Sequence, residues 1–229
     1  MRVLALDAAT EACSVALLNG DELTHRMMHG GRCEASQILD MVDALLAEAG
    51  LTLAALDGIA ASVGPGAFTG VRIGVAVAQG LAFGSGLPVA AVTTLEALAM
   101  PLFRAGATRA LACLDARMGE VYWGCFAADP TEGLLAAGAA RVGPPESVAL
   151  PTDGSYQGVG RGFAAYPLLA RLPGLTVAAE ASDALPSARE FARLGALRLG
   201  LGDGLDPGEL CPVYLRDKVA LTSAERALK

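Results

Sequence analysis

Aromatic residues make up only 5% of the 229-residue chain and charged residues 18%, with two histidines and one tryptophan. So few histidines leave little for triad chemistry, and no G-x-S-x-G turn is present to carry a nucleophilic serine. His25 and His29 have the spacing of two metal ligands on a helix, but "ELTHRMMH" reads as a strand. Four strand residues span about 13 Å, too far for one ion with bonds of about 2.1 Å, so no metal site is expected. The five cysteines, Cys13, Cys33, Cys113, Cys125 and Cys211, are odd in number and form no C-x-x-C pair. Neither a disulfide framework nor a zinc site is expected, and reduced, mostly buried thiols are; Cys33, near a helix start, reads as a helix-boundary cysteine or a reactive thiol. A net charge of -7 argues against charge-driven affinity for a nucleic-acid backbone.

Hydrophobic residues reach 53%, yet long apolar runs are missing. The longest uncharged run, Ile73 to Leu95, is broken by Gln79, Gly84-Ser85-Gly86 and Pro88. It reads as helix, turn and strand rather than a membrane span. "MRVLALDAATEAC" has no basic stretch followed by an apolar core, so no secretory leader is expected and the expected location is the cytoplasm.

Glycine is abundant where it is costly. "SVGPGAFTGVRIGVAVAQG", Ser62 to Gly80, leads from a Gly-Pro-Gly turn into a helical segment that keeps Gly70, Gly74 and Gly80. Each costs about 1 kcal/mol relative to alanine inside a helix, so something needs the missing side chains. Gly70, Gly74 and Ala78 recur every four residues and form one smooth stripe. A neighbouring helix could approach it closely, or the protein's own loop and sheet could.

Three apolar runs, Arg2 to Asp7, Ala12 to Leu18 and Glu22 to His29, predict a meander with a hairpin turn at Asn19 to Asp21. Glu34 to Ala49 is an amphipathic helix with Gly50 as its stop. A strand over 58–63, a helix over 69–83, a strand over 88–92 and a helix over 94–103 complete a βββαβαβα order. The pattern then restarts, since "LACLDARMGEVYWGCF" mirrors "VLALDAATEACSVALL", with Asp115 in the place of Asp7. Residues 105–229 carry a reduced copy: a run over 134–142, helices near 164–171 and 187–200, strands near 156–160 and 175–178, and an extended piece with a charged tail from Cys211. The expected architecture is α/β, with halves at 1–104 and 105–229.

This duplicated unit, with an Asp closing its first strand, resembles the actin, hexokinase and Hsp70 superfamily, whose RNase H-like halves hold a nucleotide between them. Within it, "GPGAFTGVRIG", "LDARMGEVY" and "PVYLRDKVA" together resemble the TsaB (YeaZ) family of tRNA threonylcarbamoyladenosine biosynthesis proteins. The resemblance implies a non-catalytic subunit without a required cofactor. It would pair with the paralogue TsaD, which modifies adenosine 37 of tRNA, and be joined by the ATPase TsaE. It would meet tRNA only through the complex and self-pair when alone. It implies a pairing surface on the first two helices, which suggests Met41, Gly70, Val71, Gly74, Val75 and Ala78 as partner-binding residues. Glu34-Ala35 departs from the His-Ser pair frequent in that family.

Asp7-Ala-Ala-Thr10 lacks the glycine that phosphate-gripping relatives carry at the place of Ala9, and Asp115-Ala-Arg117 lacks it in the second loop. Asp7, Thr10, Gly64, Gly66, Thr69 and Arg117 read either as strand-end caps and turns or as a degenerate cleft that binds a nucleotide or other anion weakly. Thr69 suits an N-cap. Glu120 and Tyr122 alternate onto one face, and Arg216 in "YLRDK" reads equally as the source of a specific pair across the molecule or of surface pairing without consequence. Other classes are a small-molecule kinase or ATP-binding protein of the same superfamily, which would turn over ATP, and a metalloprotease, which would hold stoichiometric metal.

Overall fold

The computed structural model describes residues 1–30, 33–129, 133–136, 138–151 and 154–216. Alternating and continuous apolar runs build the first sheet from β1 (Arg2–Asp7), β2 (Ala12–Asn19), β3 (Glu22–His29), β4 (Gly58–Ser62) and β5 (Val89–Val92), in the order β3-β2-β1-β4-β5. β1, β2 and β3 form an antiparallel meander, whereas β4 and β5 run parallel to β1. Parallel strands need crossovers, and these are α1 (Ala35–Ala49) and α2 (Phe68–Ser85), with α3 (Thr94–Arg104) following β5.

The second sheet repeats the plan. It contains β6 (Arg109–Arg117), β7 (Glu120–Asp129), β8 (Gly133–Ala136), β10 (Tyr156–Val159) and β11 (Leu175–Val177) in the order β11-β10-β6-β7-β8, with β9 (Arg141–Gly143) also on β7. Corresponding strands thus hold corresponding places, and the α/β fold of two actin-like halves is observed. The second half is reduced in its helices. Between β9 and β10 the described residues hold only a 3-10 turn over Pro145–Ser147, and α4 (Gly162–Ala165) is a single turn ahead of another 3-10 piece, Pro167–Arg171.

The halves share a core. α3 packs on β6 and β7 of the second sheet, while α5 (Ala188–Leu201) returns from the second half to cover β1, β2, β4 and β5. Leu95, Leu98, Phe191 and Leu194 are buried in one cluster with Val3, Ala60, Ala112 and Phe126. Leu205 also pairs with Val89, and Leu210 joins the core of the first half.

One expectation fails outright. Cys13 on β2 and Cys33 ahead of α1 form a disulfide, with Cα atoms 5.8 Å apart, leaving Cys113, Cys125 and Cys211 free. The cause is the hairpin. Pairing of Ala12 with His29 carries the end of β3 back beside the start of β2, so a cysteine four residues beyond His29 can meet Cys13. His25 and His29 do lie on a strand, both exposed. Asp217 to Lys229, including the charged tail and the end of "YLRDK", fall outside the described residues.

Candidate functional site: the cleft between the halves

The halves face each other across a cleft containing a cavity of about 560 Å³. Its first wall is the β1–β2 loop, Ala8 to Glu11, together with the start of α2. The paired aspartates keep one local geometry. Asp7 Oδ1 accepts the Ala9 N–H at 3.0 Å, and Asp115 Oδ1 accepts the Arg117 N–H at 2.8 Å.

Their surroundings differ. Asp115 is ion-paired to Arg117 at 2.8 Å. Asp7 is fully buried behind Ala8 and Ala9 and does not line the cavity. The Ser62 hydroxyl bonds Thr94 at 3.2 Å, and Asp7 Oδ2 has no hydrogen bond of its own. Burial pushes the Asp7 carboxyl up to about 6, with the Ala9 N–H and the nearby Ser62 hydroxyl pulling the other way.

The loop that follows Asp7 is seated on the start of α2 and on the turn before it. A Cβ on Gly66 would stand 2.1 Å from the Ala9 carbonyl oxygen, and one on Gly70 2.0 Å from that of Ala8. The Ala67 N–H donates to the same Ala9 oxygen at 2.7 Å. One backbone amide beside the loop, that of Ala67, is therefore spent on the chain's own Ala9 carbonyl. Asp7 itself is buried behind this contact and is not at the cavity wall, where a metal or phosphate would have to meet it. Gly74 is different, since its Cβ would make an ordinary contact with Ala8 at 3.7 Å, and Gly80 faces open space.

The second wall is the β6–β7 turn. Arg117 and Met118 hold φ of 62° and 58°, and the Arg117 side chain is 72% exposed at the rim. Such left-handed backbone costs roughly 1 to 2 kcal/mol per non-glycine residue. Between the walls runs an ion-pair chain: Arg161 pairs with Glu11 from the first half and with Asp183 at 2.7 Å, and Arg117 stands 3.9 Å from Glu11. Burial works to raise the Glu11 carboxyl, but hydrogen bonds from its own backbone N–H and from Arg161, with the charges of Arg161 and Arg117, hold it below the usual range.

The segment over 211–216 closes the third side. The Val213 N–H donates to the Val63 carbonyl at 2.7 Å, and Arg72 donates to the Tyr214 hydroxyl at 2.7 Å while lying 3.5 Å above the Phe68 ring. Arg216 pairs with Glu120 and lies 5.9 Å from the Tyr122 ring. Arg216 thus makes an ion pair across the molecule, beside Glu120 and Tyr122 on one face.

Of the expected cleft residues, Thr10, Gly66, Thr69 and Arg117 line the cavity, while Asp7 and Gly64 lie behind it. Thr69 is not the N-cap; α2 begins at Phe68, after Ala67. The expected partner-binding residues need a larger correction. Met41, Val71, Gly74, Val75 and Ala78 are buried within this protomer, and Gly70 is spent on Ala8. The stripe at steps of three and four is the face that each helix turns to its own sheet, so it is not free for another molecule. On the outward faces stand Leu39, Asp40 and Asp43 of α1 and Arg72, Ala76, Gly80 and Phe83 of α2, with Phe83 62% exposed. Sequence reasoning did not find Glu11, Arg161, Phe68 or Arg72 at the site. Glu11 and Arg161 stand 150 residues apart, and no local pattern joins them.

Comparisons with known proteins find similarity to the TsaD family model and to TsaB and YeaZ proteins. The family model of TsaD, tRNA N6-adenosine threonylcarbamoyltransferase, matches residues 30–156. The tRNA threonylcarbamoyladenosine biosynthesis protein TsaB of Escherichia coli is 39% identical, covering 96% of both chains. That of Haemophilus influenzae is 36% identical over 96% of this chain and 95% of its own. A solved YeaZ from Pseudomonas aeruginosa superposes with a TM-score of 0.84 at 42% identity, covering 93% of this chain and 99% of that one. A second Pseudomonas aeruginosa structure, described as similar to peptidase YeaZ, superposes with a TM-score of 0.85 at 42% identity, covering 94% and 99%. Among the described residues, no serine and no histidine lines the cleft of this chain.

Proposed function

Because the chain belongs to the TsaB (YeaZ) family, we propose that it is a non-catalytic subunit in bacterial tRNA threonylcarbamoyladenosine biosynthesis. It docks a TsaD-type paralogue through the outward faces of α1 and α2, is joined by a TsaE-type ATPase, and meets tRNA only within that complex. It works in the cytoplasm, requires no cofactor, and pairs with itself through the same helices when the partner is missing. Nucleotide binding in its cleft is weak at most.

The observation that carries this reading is the close seat of Gly66 and Gly70 on Ala9 and Ala8. An enzyme of the superfamily needs an open loop beside an ionised, accessible aspartate. Here the loop is seated on Gly66 and Gly70 and the aspartate is buried, which favours surface rather than chemistry as the chain's contribution. Exposed small residues at Ala76 and Gly80 let a partner helix approach closely. Phe83 beside them supplies an aromatic anchor of the kind that dominates interfaces.

The test is reconstitution of tRNA modification from purified components with and without this chain. Modification is expected to depend on its presence, and the chain alone is expected to show no ATP turnover. Modification indifferent to the chain would overturn the proposal.

A further inference from the structure

We propose that the Cys13–Cys33 disulfide is a reversible thiol–disulfide exchange site that clamps the entrance of α1, with a low-molecular-weight thiol or dithiol as its reaction partner. The pair bridges two elements. Cys13 is buried on β2, and Cys33 is partly exposed, lines the cleft and directly precedes Glu34, the N-cap residue of α1. The first turn of α1 depends on that entrance. Glu34 and Gln37 form a reciprocal capping box, and the Glu34 carbonyl accepts the N–H groups of Gln37 at 3.1 Å and Ile38 at 3.3 Å.

Access decides which sulfur reacts. A thiolate entering from the cleft reaches Cys33 Sγ, while Cys13 is shielded by the core. The incoming sulfur bonds to Cys33, the Cys13–Cys33 bond breaks, and Cys13 leaves as a thiolate that takes a proton. A second external thiolate then attacks the sulfur of the first, and Cys33 leaves as a thiolate that takes a proton. The protein gains two thiols, and the reductant leaves as its disulfide; oxidised glutathione reverses both steps. The other buried cysteines do not compete. Burial, reinforced by the Asp115 charge, pushes the Cys113 thiol up to about 12, and burial pushes that of Cys125 up to about 11. In a reducing compartment a disulfide serves as a transient or sensing element rather than a permanent staple. Oxidation fixes the first turn of α1 and reduction frees it. On the docking role proposed above, on which this last step rests, partner affinity then follows the redox state.

The test equilibrates the full chain in dithiothreitol buffers of increasing reduced-to-oxidised ratio, which leave no lasting mixed disulfide on the exposed Cys211, then denatures it and alkylates it for mass spectrometry. Three modified cysteines are expected on the oxidising side and five on the reducing side. In the native protein, amide exchange over residues 34–38 is expected to speed by about tenfold or more on reduction. The double variant Cys13→Ser, Cys33→Ser is expected to exchange at the fast rate in every buffer. Five modified cysteines at all ratios, three at all ratios, an exchange rate that ignores reduction, or a double variant that still follows the buffer would each overturn the site. Oxidised and reduced protein are also titrated with the TsaD-type partner. Equal affinity would refute the regulation, whereas no binding by either form would refute the docking role and leave the exchange site standing.

Discussion

Gly70 sits so close to Ala8 that a Cβ on it would stand 2.0 Å from the Ala8 carbonyl oxygen, while Gly80, ten residues along the same helix, has nothing within 4 Å. One helix thus holds a glycine that its own fold requires and a glycine that it does not. Gly70→Ala is expected to destabilise the chain by about 2 to 3 kcal/mol through overpacking. Gly80→Ala is expected to stabilise it by about 1 kcal/mol, the helix-propensity difference. Urea denaturation of both variants checks the pair, and equal effects would remove the distinction.

Asp7 gives a pH signature. Its folded value, about 6, lies above the ordinary aspartate value of 3.8, so the folded state holds this proton more tightly than the unfolded chain does. The sign follows: the contribution is fully present below about pH 4 and is lost as pH rises towards 6. Asp7→Asn keeps an oxygen for the Ala9 N–H and cannot ionise. Its stability gain over wild type is expected to grow from about pH 4 to 6 and reach roughly 2 to 3 kcal/mol above that. Thermal melts across the range would show it, and a gain that does not vary with pH would contradict the buried carboxyl.

The ion-pair chain across the cleft makes a smaller claim. Arg161 joins Glu11 of one half to Asp183 of the other, all three partly exposed. Arg161→Ala is expected to cost about 1 kcal/mol, and less at high salt. Denaturation midpoints at low and high ionic strength measure this; a loss that salt does not reduce would assign the effect to packing instead.

Most of the fold was legible because periodicity reports burial. Alternation and apolar runs placed the strands, and Gly50 marks the left-handed end of α1 as expected. The return of α5 to the first sheet was not legible, because an amphipathic stripe says that a helix packs but not on which sheet. Met41, Val71 and Val75 turn inward for the same reason: they belong to the apolar stripes that α1 and α2 bury against their own sheet. The disulfide was missed because an odd, scattered cysteine set gives no pairing signal, whereas the β2–β3 hairpin supplies the proximity. Asp7 and the glycines around it were found because their types are constrained by backbone geometry within a few residues.

On the proposed function, the inner face of α2 packs on the β1–β2 loop while its outer face receives a partner. Gly80→Leu adds bulk only to the outer face, where it meets open space. The direct measurement is calorimetric titration of this variant and of wild type with a TsaD-type partner, beside their melting curves. The expected result is an unchanged or slightly raised melting temperature with affinity reduced by about tenfold or more. A variant that binds as tightly as wild type would contradict the account.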